Sequence, residues 1–385
     1  MKPVGGNRVT LLRNGGEFFP ALVAAIDSAL DDVRLETYIF ADDAAGRAVG
    51  EALQRAARRG AKVRLMVDGF GSRELPPAFI AAMRAAGVIV QHFRPERGWV
   101  TLRRSRLRRL HRKIALVDAR VGFVGGINIL DDHSGHDAPA PRFDYAVRVE
   151  GPLLADIYPV VHRLWWLVAA LSRKERQPGF LPPPVAPGPA GDTTAAFVHR
   201  DNLRHRHDIE ALYLDGIRAS RREILVACAY FMPGWRVRHA LMEAAGRGVR
   251  VAIVVQGWSD HRIFQHASRV LYGTLLDHGI EIYEYERSEL HAKAAVVDGR
   301  WATVGSSNLD PFSLFLAREA NVAVFDEAFG RELRDSIDGE IRRGARAVPR
   351  LLWKRRPLLS RAVGWLAYGY ARLAMGIAGI GRRWS

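Results

Sequence analysis

The sequence lacks several features that are typical of secreted or membrane-spanning proteins. Cys228 is the only cysteine among 385 residues, which excludes an intrachain disulfide and a CxxC metal or redox site. The first residues, MKPVGGNRVTLLRNGGEFF, have no apolar stretch behind the lysine, so no secretory signal is visible and we expect a cytoplasmic location. No uninterrupted apolar run reaches the roughly 20 residues that a membrane-spanning helix needs.

Acidic residues are few compared with basic ones. The chain has 57 Lys and Arg against 41 Asp and Glu, which gives a formal net charge of +16. Such a surplus favours an anionic partner, either nucleic acid or a phospholipid surface, although solubility alone would also explain it. At this length, and with 48% hydrophobic residues, the chain can form two or three domains with cores of their own.

One sequence pattern occurs twice in the chain. Residues 111–128 read HRKIALVDARVGFVGGIN, and residues 291–308 read HAKAAVVDGRWATVGSSN. Both fit H-x-K-x4-D-x6-G-[GS]-x-N, and each matching residue is offset by 180 positions. Upstream, ARRGAKVRLMVDG matches AGRGVRVAIVVQG at an offset of 188. The two halves of the chain are therefore copies of one unit.

Each half alternates apolar strands with helices before its copy of the motif. This alternation predicts an α/β fold of two duplicated domains with mostly parallel or mixed sheets, and an active site at the interface where the two motifs meet. The stretch RKERQPGFLPPPVAPGPAGD is rich in proline and glycine and predicts a linker. The expected divisions are a first domain at 1–172, a linker at 173–195, a second domain at 196–345 and a basic, apolar tail at 346–385.

The histidine motif predicts a site for a phosphoryl group. Side chains two positions apart on a strand share a face, so His111 and Lys113 point the same way, as do His291 and Lys293. A lysine and an asparagine amide beside a histidine suit two phosphoryl oxygens and a nucleophile or acid. If the motif occurred once, its histidine could be a buried structural residue. Two copies that keep all five fixed positions favour a catalytic role.

The aspartate and asparagine of the motif have different predicted positions. Asp118 follows His111 by seven residues and faces the opposite way on a straight strand. We therefore interpret it as a strand-end residue that binds backbone rather than as a partner of the imidazole. Asn128 and Asn308 follow small residues that permit close backbone approach, so each can donate an amide N–H to a ligand.

This pair of motifs resembles the phospholipase D superfamily, whose two-domain members carry H-x-K-x4-D twice. The resemblance covers roughly residues 8–345. Several stretches further resemble the bacterial cardiolipin synthases of the B type: RRLHRKIALVDARVGFVGGIN, DYAVRVEGP, HRDNLRHRHDIEALYLDGIRAS, AYFMPG and WATVGSSNLDPFSLFLAREAN. Two positions depart from the pattern, because Gly126 stands where the superfamily usually has serine and Cys228 stands where many relatives have asparagine.

The resemblance implies a ping-pong mechanism that needs no metal or other cofactor. One histidine attacks the donor phosphodiester to form a phosphohistidine, and the other protonates the leaving alcohol and then deprotonates the acceptor. By analogy His111 is the nucleophile and His291 the acid and base, although the sequence also permits the reverse. The implied catalytic residues are His111, Lys113, Asp118, His291, Lys293 and Asp298, with Asn128 and Asn308 binding the phosphate.

Each histidine also needs an acceptor on its second nitrogen to fix its tautomer. In relatives a carboxylate downstream of the motif fills this role. The corresponding positions here are Asp144, 33 residues after His111, and Glu319, 28 residues after His291. The alternative is that both are exposed strand charges.

Two stretches and one loop predict contact with a membrane. In residues 357–385, the most apolar part of the chain, Arg361 and Arg372 fall within about 20° of one helix face, so we expect an amphipathic helix in the headgroup region, with core packing as the alternative. Residues 159–171 are a second candidate surface or a core helix. A basic loop before the first motif is expected to contact anionic headgroups, or else to be solvated, through Arg103, Arg104, Arg106, Arg108 and Arg109.

The resemblance implies a phosphatidyltransferase that makes cardiolipin from phosphatidylglycerol, and the apolar C-terminal stretch favours a lipid substrate over nucleic acid. The alternatives are a phospholipase D-type hydrolase, a nuclease of the same superfamily, and a membrane-binding protein without activity. The expected partners are anionic phospholipids and the membrane surface. Nucleic acid is not expected, because aromatic residues near the basic loop are limited to Trp99. The expected location is the cytoplasmic side of the inner membrane, as a peripheral or monotopic protein.

Overall fold

The computed structural model describes residues 2–95, 108–133, 140–172, 187–258, 262–354, 362, 364–370 and 373. The strands are β1 (Val4–Arg13), β2 (Asp32–Thr37), β3 (Lys62–Asp68), β4 (Ile89–Phe93), β5 (Lys113–Val117), β6 (Val121–Gly125), β7 (Tyr145–Glu150), β8 (Thr193–Arg200), β9 (Glu223–Cys228), β10 (Arg250–Gln256), β11 (Glu281–Tyr285), β12 (Lys293–Val297), β13 (Trp301–Gly305), β14 (Glu319–Phe325) and β15 (Ala345–Ala347). The helices are α1 (Asn14–Asp27), α2 (Ala44–Arg58), α3 (Pro77–Ala85), α4 (Leu154–Ser172), α5 (Asp208–Ala219), α6 (Trp235–Gly246), α7 (Arg262–Arg269), α8 (Tyr272–Asp277), α9 (Pro311–Phe315), α10 (Glu327–Gly344) and α11 (Arg350–Lys354).

The described strands form one continuous sheet of fifteen strands. Their order is β15-β11-β10-β9-β12-β13-β14-β8-β1-β7-β6-β5-β2-β3-β4. Outward from the central β8–β1 pair, equivalent strands follow in the same order on both sides, so the predicted duplication is visible as an internal two-fold relation. The two halves join edge to edge through this antiparallel pair, with Asn7 opposite Thr193, and so share one sheet instead of holding two separate ones.

The predicted mixed α/β architecture is confirmed. Strands β2, β3 and β4 are parallel to one another, as are β9, β10 and β11. The motif strands β5 and β12 run antiparallel to β2 and β9. Each motif strand therefore starts at the edge where the parallel strands have their carboxyl ends, which is where α/β sheets place their ligands.

The two faces of the sheet bury different cores. In β5, Ala115 and Val117 belong to the core of their own half with α1 and α2, whereas Ile114 and Leu116 belong to a core that both halves share. Helices α4 and α10 cover this shared core with side chains such as Ile157. Burial on both faces explains why β5 and β12 are continuous apolar runs behind their lysines.

Helix α4 contains the predicted stretch 159–171 and is apolar on more than its core face. Leu164 and Trp165 are buried, whereas 41% of Trp166 and 85% of Leu171 are exposed. By length and composition Leu154–Leu171 is the one helix among the described residues that could span a membrane, and 39% of it is buried. The helix thus packs on the core along one side and presents tryptophan and leucine to the solvent along the other.

The structure covers only parts of the predicted linker and tail. Residues 187–192 have no helix or strand, and β8 already begins within the predicted linker. At the other boundary β15 pairs with β11, so the sheet continues into the predicted tail. Arg361 and Arg372 lie outside the described residues. Residues 364–370 are helical, with Trp365 exposed and Tyr368 packed into the core of the second half.

Candidate active site

The backbone of each motif histidine is held by the other half of the chain. His111 N and Arg112 N donate to Arg318 O, at 3.0 and 2.8 Å. In the equivalent arrangement, the backbone N–H groups of His291 and Ala292 donate to Phe143 O, at 2.8 and 2.9 Å. These crossed contacts bring the two motifs together at one edge of the sheet, as the duplicated sequence predicts.

Each imidazole is also paired with a carboxylate of the other half. His111 Nδ1 lies 2.9 Å from Glu319 Oε1 and 3.1 Å from Oε2, and His291 Nδ1 lies 2.6 Å from Asp144 Oδ2. The downstream carboxylates are therefore at the imidazoles, but each contacts the histidine of the opposite motif. The reason is that β7 and β14 lie close to the centre of the sheet, so that Asp144, directly before β7, and Glu319, the first residue of β14, meet the opposite motif.

The two carboxylates are fixed by different neighbours. Ser306 Oγ donates to Glu319 Oε2 at 2.5 Å. In the other half Gly126 occupies the serine position, and a Cβ atom there would lie only 2.2 Å from Asp144 Oδ1. That oxygen instead accepts the backbone N–H of Tyr145 at 2.8 Å. Glycine at position 126, where the superfamily usually has serine, thus leaves room for the Asp144 carboxylate.

Both motif lysines are buried beside their histidines. Lys113 Nζ donates to His111 O at 2.6 Å, and Lys293 Nζ donates to His291 O. Burial lowers the pKa of Lys113 to about 7 and also lowers the pKa of Lys293. Burial makes the charge on each ammonium group unfavourable. An anionic ligand bound beside the two groups would offset this cost.

The motif asparagines have matching hydrogen bonds. Asn128 Oδ1 accepts the backbone N–H of Ile39 at 3.1 Å, and Asn308 Oδ1 accepts that of Tyr230 at 3.4 Å. Both residues are buried, and these bonds fix the amide planes. With the carbonyl oxygen bound to backbone, each side chain has its NH₂ group as the donor for a ligand.

The motif aspartates lie at the far end of the motif strands. Asp118 accepts backbone N–H groups of Leu30, Asp31 and Asp32 at 2.8 to 2.9 Å. Asp298 accepts those of residues 221–223 in the same way. Both therefore hold the segment before a parallel strand, as strand periodicity predicts for Asp118. The structure places neither beside an imidazole, so their inclusion among the catalytic residues is corrected to a structural role.

The two half-sites share one electrostatic environment. Burial lowers the pKa of His111 and places that of His291 well below its usual value. Lys293 contributes to the shift of His111, and Lys113 to that of His291, so each motif acts on the histidine of the other. Burial also raises the pKa of Asp144 to about 6. The imidazole side chains keep 19% and 15% of their surface exposed, which leaves them accessible to a ligand.

A family model for the cardiolipin synthase, phospholipase D-like domain matches residues 22–154 and 213–340. The chain belongs to this phospholipase D-like family. It is 40% identical to cardiolipin synthase B of Salmonella typhi over 376 residues, which cover 95% of this chain and 88% of the relative. It is 39% identical to cardiolipin synthase B of Escherichia coli K12 over the same shares, and 33% identical to cardiolipin synthase A of Yersinia pseudotuberculosis.

Solved structures share the fold of this phospholipase D-like chain at low sequence identity. The phosphatidylserine synthase of Haemophilus influenzae superposes with a TM-score of 0.69 and 13% identity, covering 95% of this chain and 93% of the other. A polyphosphate kinase from Porphyromonas gingivalis gives a TM-score of 0.56 and 18% identity, with 53% of that chain covered. These likenesses establish the fold.

Further residues of this phospholipase D-like site were missed by the sequence analysis. The Tyr38 ring lies 5.0 Å from the His111 ring, centroid to centroid, and 5.5 Å from Lys113 Nζ. Asp68, fully buried at the end of β3, accepts the backbone N–H of Leu110 at 2.8 Å. Gln256, 188 residues later, accepts that of Leu290. The repeat at this offset could have identified Asp68 and Gln256 as equivalent.

Arg200 is another missed residue. It lies opposite Glu319 in the β8–β14 register, and its guanidinium donates to carbonyl oxygens of Leu314, Phe315 and Ala317. These carbonyls belong to the segment that leads into Glu319. The buried arginine therefore fixes the approach to the carboxylate that pairs with His111.

The remaining predicted positions have local partners. Arg109 lies 3.7 Å from an Asp68 oxygen and 4.9 Å from the Phe70 ring, while Arg103, Arg104 and Arg106 lie outside the described residues. Cys228 is buried and donates through Sγ to Tyr230 O at 3.3 Å.

Among the residues that the structure describes, no cluster of three or more His, Cys, Asp or Glu side chains has the arrangement of a metal site.

Proposed function

We propose that the protein is a cardiolipin synthase that transfers the phosphatidyl group of one phosphatidylglycerol to the terminal hydroxyl of a second. The observation that carries this proposal is the pair of crossed His–carboxylate contacts, which set two oriented imidazoles in one site. The identity with cardiolipin synthases B over 95% of the chain supports the choice of substrates.

In the first half-reaction, neutral His111 attacks the donor phosphorus through Nε2. Glu319 accepts a hydrogen bond from the Nδ1–H of His111, which fixes the tautomer whose Nε2 lone pair is free for attack. A P–N bond forms and the bond from phosphorus to the glycerol oxygen breaks. Protonated His291 gives its Nε2 proton to that oxygen, so glycerol leaves as a neutral alcohol.

The second half-reaction reverses these roles. His291 Nε2 takes the proton of the acceptor hydroxyl, whose oxygen attacks phosphorus as the P–N bond breaks. The products are cardiolipin and a neutral His111, with His291 protonated again. The 2.6 Å contact with Asp144 orients His291 and stabilises the imidazolium that forms on it.

The lysines and asparagines bind the two non-bridging phosphoryl oxygens. Both Lys ammonium groups are buried, so an anionic phosphodiester between them favours their charged forms and the imidazolium. Donors of this kind, already in place before reaction, typically lower the barrier by about 3 kcal/mol each.

We also propose that the protein lies on the cytoplasmic surface of the inner membrane. Leu164 and Trp165 of α4 pack with Phe93 and Leu110, and Leu110 directly precedes His111. The exposed Trp166 lies on the same helix, and we therefore expect it beside the sheet edge at which the two imidazoles are accessible. An apolar surface at this edge supports entry of two lipids from one leaflet.

The test is an assay of purified protein on vesicles of labelled phosphatidylglycerol, with products separated into cardiolipin, phosphatidic acid and glycerol. A phosphatidyltransferase releases one glycerol for each cardiolipin. Phosphatidic acid as the main lipid product would instead identify a hydrolase. Cleavage of single-stranded DNA with no lipid product would identify a nuclease.

A further inference from the structure

Arg318 carries a positive charge that forms no ion pair with an acidic side chain among the described residues. Its side chain is half-buried, and its Nε is fully buried without a hydrogen bond. Within the part of the chain that the structure describes, the guanidinium makes no hydrogen bond or ion pair. Leaving a buried donor and a charge unmatched is unfavourable, so such a group points to a ligand that is absent from the protein itself.

The position of Arg318 ties it to the His111 half-site. It directly precedes Glu319, and its carbonyl accepts the backbone N–H of His111 at 3.0 Å. Successive strand side chains face opposite ways, so Arg318 lies on the face opposite Glu319, next to the shared core. Its guanidinium carbon is 5.9 Å from the centroid of the Phe93 ring.

The surroundings of Arg318 are also cationic. Arg94 lies 5.4 Å from the same Phe93 ring and donates to Arg108 O at 3.3 Å. Burial and the charge of Arg112 together lower the pKa of Arg318 to about 10. Arg112 itself is neutralised by a bidentate pair with Glu36 at 2.5 and 3.0 Å.

Asp201 is the other nearby acid that acts on Arg318. Its carboxylate accepts the backbone N–H groups of Leu203 and His205, at 2.8 and 3.0 Å. Both nearby acids are thus already engaged with other groups, Glu36 with Arg112 and Asp201 with backbone N–H groups.

The equivalent position in the other half shows that the fold does not require this charge. There Phe143 takes the place of Arg318, since its carbonyl accepts the backbone N–H of His291. The Phe143 ring packs 5.4 Å from Tyr145 and 5.1 Å from Tyr285, centroid to centroid. An apolar residue therefore suffices at this place, and the cation is a feature of one half-site only.

We propose that Arg318 binds the non-reacting phosphate of the acceptor phospholipid. This inference rests on the proposed function, in which the acceptor carries its own phosphodiester one glycerol away from the attacking hydroxyl. A guanidinium binds two phosphate oxygens at once and is the preferred group for this contact. The subsite would make the enzyme select an anionic acceptor over a neutral alcohol.

The test compares Arg318→Met with the wild type on two acceptors in the same vesicles. Phosphatidylglycerol has the phosphate, whereas a 1-monoacylglycerol offers the same terminal glycerol hydroxyl without it. We expect the ratio of transfer to phosphatidylglycerol over transfer to monoacylglycerol to fall at least about tenfold, through a higher KM for the anionic acceptor. Arg300→Met, an exposed arginine in the turn between β12 and β13, is the matched control and should leave this ratio unchanged.

The melting temperature of Arg318→Met separates binding from structure. Removing an unpartnered cation should leave the melting temperature unchanged or raise it. A lower melting temperature, an unchanged acceptor ratio, or equal loss with both acceptors would each overturn the assignment, because each means that Arg318 stabilises the fold or acts on both acceptors alike.

A binding measurement distinguishes this inference from the proposed function. Equilibrium dialysis with glycerophosphoglycerol, the water-soluble deacylated form of the acceptor, should show weaker binding to Arg318→Met than to the wild type. If this difference is found while the wild type makes no cardiolipin, the subsite stands and the proposed function fails. If inorganic phosphate binds as tightly as glycerophosphoglycerol, the site recognises free phosphate and the headgroup assignment is overturned.

Discussion

His291 Nδ1 lies 2.6 Å from an oxygen of Asp144, although the two residues are 147 positions apart and belong to different halves. The equivalent pair, His111 and Glu319, crosses the interface in the other direction. Neither half can therefore orient its own histidine. An isolated half would contain an imidazole without its carboxylate, so activity requires both halves of the shared sheet.

Asp144→Asn should slow turnover by about 10²- to 10⁴-fold without abolishing it, because an amide neither fixes the His291 tautomer nor stabilises its imidazolium. The measurement is kcat on phosphatidylglycerol vesicles. Asp156→Asn, a change at an exposed aspartate in the first turn of α4, is the control and should have wild-type kcat. A wild-type rate for Asp144→Asn would contradict the assigned role.

The pH dependence of kcat/KM should show a loss of activity as the pH rises through about 7. Burial lowers the pKa of Lys113 to about 7, so its cation is present below that pH and is lost above it. The profile of kcat should fall at a higher pH, since a bound phosphodiester stabilises the ammonium group. A kcat/KM that stays level up to pH 9 would show that Lys113 remains charged in the free enzyme.

Gly126→Ala should lower both stability and activity. The added Cβ would lie 2.2 Å from Asp144 Oδ1, so the carboxylate must move away from His291, and overpacking of this kind costs about 1–3 kcal/mol. Thermal melting and kcat report the two effects. The control is Gly16→Ala in α1, where the structure has no atom within 4 Å of the new Cβ and the substitution should stabilise the helix. If Gly126→Ala had the same melting temperature and kcat as Gly16→Ala, the close packing of Asp144 against Gly126 would be contradicted.

Deleting residues 357–385 should weaken membrane binding. Each basic residue near an anionic surface contributes about 1 kcal/mol, and apolar side chains such as the exposed Trp365 add a term that salt does not screen. The truncated protein should appear in the soluble fraction, with activity kept on detergent-dispersed lipid and mostly lost on vesicles, and with a lower melting temperature because Tyr368 is removed from the core of the second half. Full-length protein that alkaline carbonate and high salt leave wholly bound, with a C-terminal tag accessible only from outside, would mean that the segment spans the membrane.

The sequence predicts the local parts of this site well. Strand periodicity separates His111 and Lys113 from Asp118, and the hydrogen bonds of Asp118 confirm that separation. The repeat predicts two equivalent α/β units, which the strand order confirms. These features depend on residues close in the chain, whose relative directions follow from backbone geometry alone.

The long-range parts of the site could not be predicted. Which carboxylate meets which histidine depends on the edge-to-edge pairing of β1 with β8, and neither strand carries a motif. Asp68 and Arg200 act through backbone groups, so their residue types give no chemical signal. Arg318 stands out only when its missing partner and the equivalent Phe143 are compared in three dimensions.

The central claim is that a phosphatidyl group passes through His111 in a site completed by His291. Trapping of an acid-labile phosphoenzyme from ³²P-labelled phosphatidylglycerol, followed by identification of the labelled peptide, tests it most directly. We predict label on the peptide that contains His111, none in His111→Ala or His111→Asn, and some in His291→Ala, where only protonation of the leaving alcohol is impaired. Label in His111→Ala but none in His291→Ala would reverse the assignment, and a wild-type enzyme that makes cardiolipin without any labelled histidine would contradict the mechanism.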